Sequence, residues 1–171
     1  MSFYRLTRDV YVLVTPRGMR SYLVKGDRGW VIIDGGDPVS LNIIVSDILE
    51  VTRGVTPKYI LVTSCHPAAA SAIGALSKFF VESLVVSHYP DSVALRRGEC
   101  EGSFYEPARV SVELRSDEEV VEGIRIKLTR TPTLGSIIAN YNGVIFAGST
   151  LVSPLKTVSY LCSVSDCSKV S

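Results

Sequence analysis

Long hydrophobic runs are missing from this chain: no apolar stretch reaches the roughly 20 residues that a membrane-spanning helix needs. The opening Met1-Ser2-Phe3-Tyr4-Arg5 is not followed by the apolar core of a secretion signal, so a cytoplasmic protein is expected. Blocks of one charge are missing too. With 18 Lys and Arg against 17 Asp and Glu the formal net charge is +1, which gives no electrostatic argument for nucleic acid or an anionic membrane surface. Cysteine is scarce: four residues (Cys65, Cys100, Cys162, Cys167) in a chain of 171 are too few for a disulfide scaffold. In a mesophile's cytoplasm they are free thiols, whereas hyperthermophile cytoplasms sustain structural disulfides. Of the pairs, Cys162 and Cys167 are spaced to close a small loop, or fall together by accident. Cys65, His66, His88 and Cys100 lack the paired spacing of zinc loops, so no zinc site is expected from them. No Gly-x-Ser-x-Gly occurs, which removes the elbow signature of a serine hydrolase.

What is present suffices for one globular domain over residues 1–171, since 46% of the residues are hydrophobic. The pattern is α/β, with a strand-rich second half. Asp9 to Thr15, Met19 to Lys25 and Trp30 to Asp34 read as three strands of an antiparallel meander, separated by Pro16-Arg17-Gly18 and Gly26-Asp27-Arg28-Gly29. Pro38 to Arg53 reads as a helix: proline suits its first turn, Leu41, Ile44, Ile48 and Val51 form an apolar stripe, and Gly54 stops it. Lys58 to Val62 is a buried strand. An alanine-rich helix then ends near Phe80, Ser83 to Ser87 is a short strand, and Pro90 to Arg97 a short helix. His88, between the last two, reads as a surface or capping residue. Glu99 to Pro107 reads as a loop, in which Phe104 and Tyr105 are expected to pack. Beyond it, Arg109 to Leu114 and Ile124 to Leu128 alternate as strands around a turn at Val120-Val121-Glu122-Gly123. Ser136 to Tyr141 and Val144 to Phe146 form a hairpin across Asn142-Gly143.

The chemistry-bearing cluster is Thr63-Ser64-Cys65-His66-Pro67-Ala68-Ala69. It lies at the carboxyl end of a strand and opens a helix, where α/β folds usually keep their sites. The cluster resembles the metal-binding Thr-His-x-His-x-Asp-His loop of the metallo-β-lactamase superfamily. On that alignment His66 is the one ligand kept; Ser64, Ala68 and Ala69 replace the others. Three further segments resemble the family in the same order. Asp34-Gly35-Gly36 matches an Asp-x-Gly turn whose carboxylate orients the metal loop, although Asp and Gly also end strands for backbone reasons alone. Thr131-Pro132-Thr133-Leu134-Gly135-Ser136 is similar to Thr-Pro-Gly-His-Thr-x-Gly-Ser with the Gly-His pair deleted. Phe146-Ala147-Gly148-Ser149-Thr150-Leu151 is similar to Phe-x-Gly-Asp-Thr-Leu, with Ser149 in place of the bridging Asp.

The resemblance implies an αββα sandwich, C-terminally shortened because about twenty residues follow Leu151. It implies a vestigial pocket of Asp34, Ser64, Cys65, His66 and Ser149, with Asp34 as a hydrogen-bond partner for His66. Neither a metal nor another cofactor is expected, nor a catalytic residue, because one His cannot hold a catalytic metal. The expected role is therefore a non-catalytic binding or assembly subunit with a small-molecule or protein partner. The alternative is a hydrolase with an altered site. A Cys65 nucleophile with His66 as its base is one version, which adjacent residues on an extended turn serve poorly. A homodimer is expected, since the short tail would leave Ile137-Ile138 and Val144-Ile145-Phe146 with an open face or edge. The competing arrangement has Val158 to Leu161 folding back as a strand within the chain.

Overall fold

The computed structural model describes residues 3–148 and 161–163. Its first half builds a seven-stranded sheet. Strands β1 (Phe3–Arg5), β2 (Val10–Val14), β3 (Arg20–Lys25) and β4 (Trp30–Ile33) run antiparallel in sequence order. Strands β5 (Tyr59–Leu61), β6 (Leu84–His88) and β9 (Val110–Leu114) then add in parallel, so the sheet is mixed. The expected meander is present, with β1 as an extra edge strand. That edge carries Phe3-Tyr4-Arg5, too short and too polar to read as a strand from sequence.

Each parallel connection carries helix. Asp37 accepts hydrogen bonds from the Ser40 amide and hydroxyl, both at 3.0 Å, and Pro38 starts a 3-10 turn that leads into α1 (Leu41–Thr52). Ile44, Val45 and Ile48 bury its inner face. The helix ends on Arg53 and Gly54, both at positive φ, with the Gly54 amide donating to the Leu49 carbonyl. The expected alanine-rich helix is broken in two, α2 (Pro67–Ala70) and α3 (Ile73–Phe79). After β6 comes α4 (Asp91–Arg97), and the expected loop behind it contains a small hairpin of β7 (Glu99–Cys100) and β8 (Ser103–Phe104). All four helices contribute to one apolar layer on the outer side of this sheet, which includes Ile48, Ala70, Ile73, Leu76 and Leu95.

The second half forms an antiparallel sheet of β10 (Glu118–Val121), β11 (Ile124–Leu128), β12 (Ile137–Tyr141), β13 (Val144–Phe146) and β14 (Leu161–Ser163). Val120 and Val121, read as part of a turn, belong to β10; only Glu122 and Gly123, both at positive φ, make the turn. The two sheets face one another across a core of Val12, Tyr22, Val24, Ile33, Ile124, Ile137, Ala139 and Phe146. Helix, sheet and sheet thus stack as in an αββα sandwich, and among the described residues the helices lie on the first sheet only. Alternation decides which apolar residues remain outside. Ile137, Val144 and Phe146 point into the core, so the face they form is already covered. Ile138 and Ile145 point outward beside Val120, which is 65% exposed. Leu161–Ser163 pair with β13, as the fold-back arrangement requires; Val158 to Tyr160 lie outside the described residues.

Tyr22 and Phe146 meet edge to face across the sheets, 5.2 Å between centroids, and both are fully buried. Phe146→Ala should therefore lose about 3–5 kcal/mol in urea denaturation, and Phe146→Leu about half of that or less. Equal losses from the two variants would mean that the ring does not bridge the sheets.

Candidate functional site

Two buried carboxylates organise the carboxyl ends of the parallel strands. The first is Asp34, directly after β4, at φ 60. Its backbone amide donates to the Leu61 carbonyl and its carbonyl accepts from the Ser21 hydroxyl, which anchors the residue in the sheet. The side chain accepts from the Thr63 amide at 2.8 Å and from the Thr63 hydroxyl at 2.7 Å. Thr63 in turn accepts the Ile137 amide on its carbonyl at 2.9 Å, so it ties β5 to the second sheet. Gly148 closes over this pair: a Cβ there would overlap the Thr63 hydroxyl and lie 3.2 Å from Asp34 Oδ2, at a φ of 55. Burial pushes the Asp34 carboxyl up to about 7, against the two Thr63 hydrogen bonds that pull it down.

The second carboxylate is Asp91, the first residue of α4 and 3% exposed. Its Oδ2 accepts the Cys65 amide at 2.7 Å and the Thr133 hydroxyl, and its Oδ1 accepts the Gly135 amide at 2.9 Å. A Cβ at Gly135 would come within 2.7 Å of Asp91 Oδ1, so only glycine allows this approach. Asp91 thereby joins the Thr63–Ala69 loop to the Thr131–Ser136 loop. Tyr105 adds a third tie by donating its hydroxyl to the Cys65 carbonyl at 2.7 Å. Burial first, and the Asp91 charge second, push that phenol well above its ordinary value.

Cys65 and Cys100 form a disulfide, with Cα atoms 5.7 Å apart. The sequence left free thiols and a structural disulfide both open, and this bridge pairs cysteines other than Cys162 and Cys167. The Cys162 side chain and Cys167 fall outside what is described. Sequence spacing favoured the near pair. The fold instead folds the β7–β8 hairpin against the site loop, 35 residues away along the chain. With its sulfur bonded, Cys65 has no thiolate to act as a nucleophile.

Asp34, Thr63 and Gly148 are brought together, and Ser64 and Cys65 follow Thr63 in the loop. Ser149 lies outside the described residues. His66 is a correction: its partner is not Asp34. Its Nδ1 accepts the Ala68 amide at 3.2 Å and caps α2, while its own amide donates to the Ser64 hydroxyl. Asp34 is unavailable because both of its oxygens face Thr63. His88 is a second correction. It is buried, 3% exposed, with its ring nitrogens 2.6 Å from the Tyr89 carbonyl and 2.9 Å from the Ser116 carbonyl. Pairing of β6 with β9 carries the segment after Leu114 over the ring, a long-range consequence that no local pattern signals. Asp91, Thr133 and Tyr105 were not recognised from sequence as site residues. An Asp at the start of a short helix reads as an ordinary first-turn residue.

The sequence profile of the metallo-β-lactamase superfamily matches residues 14–161. The chain belongs to this superfamily. Solved structures agree on the fold. A HARLDQ-motif variant of a metallo-β-lactamase from Cronobacter sakazakii is similar at a TM-score of 0.70 and 17% identity, over 88% of this chain and 61% of that one. BJP-1, a subclass B3 metallo-β-lactamase of Bradyrhizobium japonicum, gives 0.67 and 19%, over 85% of this chain and 56% of that one. The metallo-β-lactamase MIM-1 from Novosphingobium pentaromativorans gives 0.67 and 19%, over 81% and 55%. This chain therefore spans about three fifths of the length of these similar structures. No curated protein matches it by sequence.

The family implies a metal centre, and the donor set here does not fit one. Among the described residues no three His, Cys, Asp or Glu side chains converge on a point. The His66 Nδ1, the Cys65 sulfur and the carboxylates of Asp34 and Asp91 are each engaged with protein atoms. Dinuclear and mononuclear members alike need several such ligands free to point inward.

The pH dependence of stability follows from Asp34. The folded carboxyl holds its proton up to about pH 7, and the unfolded one releases it near 3.8. The folded state thus binds the extra proton between those values, and its contribution is full below about pH 4 and lost as pH rises through 7. Relative to Asp34→Asn, the wild-type protein should lose on the order of 4 kcal/mol of unfolding free energy between pH 4 and pH 8. Parallel pH profiles for the two proteins would show that Asp34 does not titrate in this range.

Proposed function

We propose that this metallo-β-lactamase-fold protein is a single-domain, non-catalytic binding or assembly subunit. Asp34, Ser64, Cys65, His66 and Ser149 are the remnant of its metal pocket. One observation carries the reading: the groups that would serve chemistry at this rim are engaged in holding the loops. Asp34 binds Thr63, Asp91 binds Cys65, Thr133 and Gly135, and Cys65 is bonded to Cys100. The loop reads Ser-Cys-His-Pro-Ala-Ala where the family has His-x-His-x-Asp-His. The HARLDQ motif of the Cronobacter sakazakii metallo-β-lactamase also departs from that pattern, so the fold tolerates substitution there. Protein purified without chelator should carry no stoichiometric zinc, iron or manganese by elemental analysis. It should show no hydrolysis of ester, thioester, lactam or phosphodiester substrates. About one metal per chain, lost in His66→Ala, would overturn the proposal and favour a hydrolase with a rebuilt site.

No helix among the described residues is long and apolar enough to cross a membrane. We propose that the protein is cytoplasmic, in a cell whose cytoplasm sustains structural disulfides such as Cys65–Cys100. We further propose a two-fold homodimer through the outer face of the second sheet. There the cations Arg125 and Lys127 on β11 stand between Val120 on β10 and the isoleucines Ile138 and Ile145 on β12 and β13, with Glu118 on β10 opposite Lys127. A two-fold axis through this face sets Glu118 of one copy against the cations of the other and stacks the apolar side chains. Light scattering at micromolar concentration should give twice the chain mass of 18.6 kDa, and Ile145→Glu should return the monomer. A monomeric wild-type protein would remove the dimer.

A further inference from the structure

At the opposite end of the first sheet from Asp34 lies a second groove, of about 620 Å³, within the roughly 300–1,000 Å³ of small-molecule sites. Trp30 begins β4 and Asp34 follows its end, so the two sites stand about 13 Å apart along the strand. The groove is walled by the end of β1 and the start of β2, the strand ends that flank the β3–β4 turn, and the last turn of α1. Arg5, Arg8, Lys25 and Arg53 converge on it, against the single carboxylate of Asp9. In a protein of formal net charge +1 this is a local concentration of positive charge that composition hides. Arg8, Lys25 and Arg53 are exposed, and among the described residues none of their side chains has an ion-pair or hydrogen-bond partner. Arg5 is held in place: it lies over the Tyr11 ring, 5.9 Å from the centroid, and donates to the Thr7 and Arg8 carbonyls. Trp30, half-buried, packs on Tyr11 at 6.1 Å and offers the groove an aromatic surface.

A second observation is independent of charge. Thr52 lines the groove and is 3% exposed, yet its hydroxyl has no hydrogen-bond partner. A buried hydroxyl without a partner is unfavourable, and valine would fill the same space without that cost. Threonine in a helix has two accessible χ1 rotamers, so a rotation can turn this hydroxyl toward a molecule in the groove.

We propose that this groove binds a mononucleotide: the phosphates against Arg8, Lys25 and Arg53, the base against Trp30, and a ribose or phosphate oxygen on the Thr52 hydroxyl. Free cations call for phosphate, the aromatic wall for a planar ring, and the buried hydroxyl for a polar atom that reaches the floor. The site is separate from the remnant metal pocket and stands whether or not that pocket is inert.

Trp30 is the one tryptophan in the chain, so its fluorescence reports on this groove alone. Titration of the full protein with ATP, without divalent metal, should give a saturable change. Adenosine and inorganic tripolyphosphate should each bind at least about tenfold more weakly, since each lacks one of the two recognised parts. Arg53→Glu and Arg8→Glu should each weaken ATP by about tenfold or more, whereas Arg97→Glu, an exposed cation at the end of α4, should leave it unchanged. Thr52→Val should weaken ATP several-fold while leaving thermal stability equal or higher, which a purely structural threonine would not do. A flat ATP titration would overturn the proposal. So would equal binding of tripolyphosphate, which marks a mere anion patch, or an oligonucleotide binding far more tightly than ATP, which marks a nucleic-acid surface.

Discussion

The two sheets are stitched together at Thr63. Its amide and hydroxyl donate to Asp34 at the end of β4, its carbonyl accepts Ile137 from the second sheet, and Gly148 at the end of β13 packs against its side chain. One residue therefore fixes the ends of two parallel strands, the entry into β12 and the segment that leaves β13. The buried Asp34 carboxyl is the costly partner in this tie. Burial disfavours its charge, and the paired donors of Thr63 are what make its position tolerable. The rest of the rim can be ordered only because this point is fixed.

Asp91 repeats the device one strand further along. It gathers a loop amide, a hydroxyl and a glycine amide from two segments far apart in sequence, while Tyr105 and the Cys65–Cys100 bridge hold the same loop from the hairpin side. In a fold whose relatives use this rim for metal chemistry, loops are ordinarily held by ligation to a shared ion, and metal binding contributes to folding. Here hydrogen bonds and one covalent link do that holding.

Two further features of the surface lie away from this rim. The opposite rim of the first sheet gathers cations that the sheet edge and the end of α1 bring together from three separate stretches. The outer face of the second sheet sets Glu118 on β10 beside the cations Arg125 and Lys127 on β11. Neither arrangement can be seen in a balanced overall charge, because composition averages what folding segregates.

The sequence by itself determined most of the longer strands along the chain. Alternation at Ile124 to Leu128, the Asn142-Gly143 turn, and the stripe of Ile44 and Ile48 are local patterns with local physical causes. Four degenerate motifs in the right order were enough to identify the superfamily, and Asp34 and Thr63 stood at their expected junctions. Only the tertiary structure decided which partners those residues took. The Cys65–Cys100 bridge, the burial of His88 beneath the segment after Leu114, and the three-way role of Asp91 all join residues more than twenty positions apart. Local sequence carries the propensity of a segment. Which side chain meets which is set when sheets and hairpins pack, and that depends on the whole chain at once.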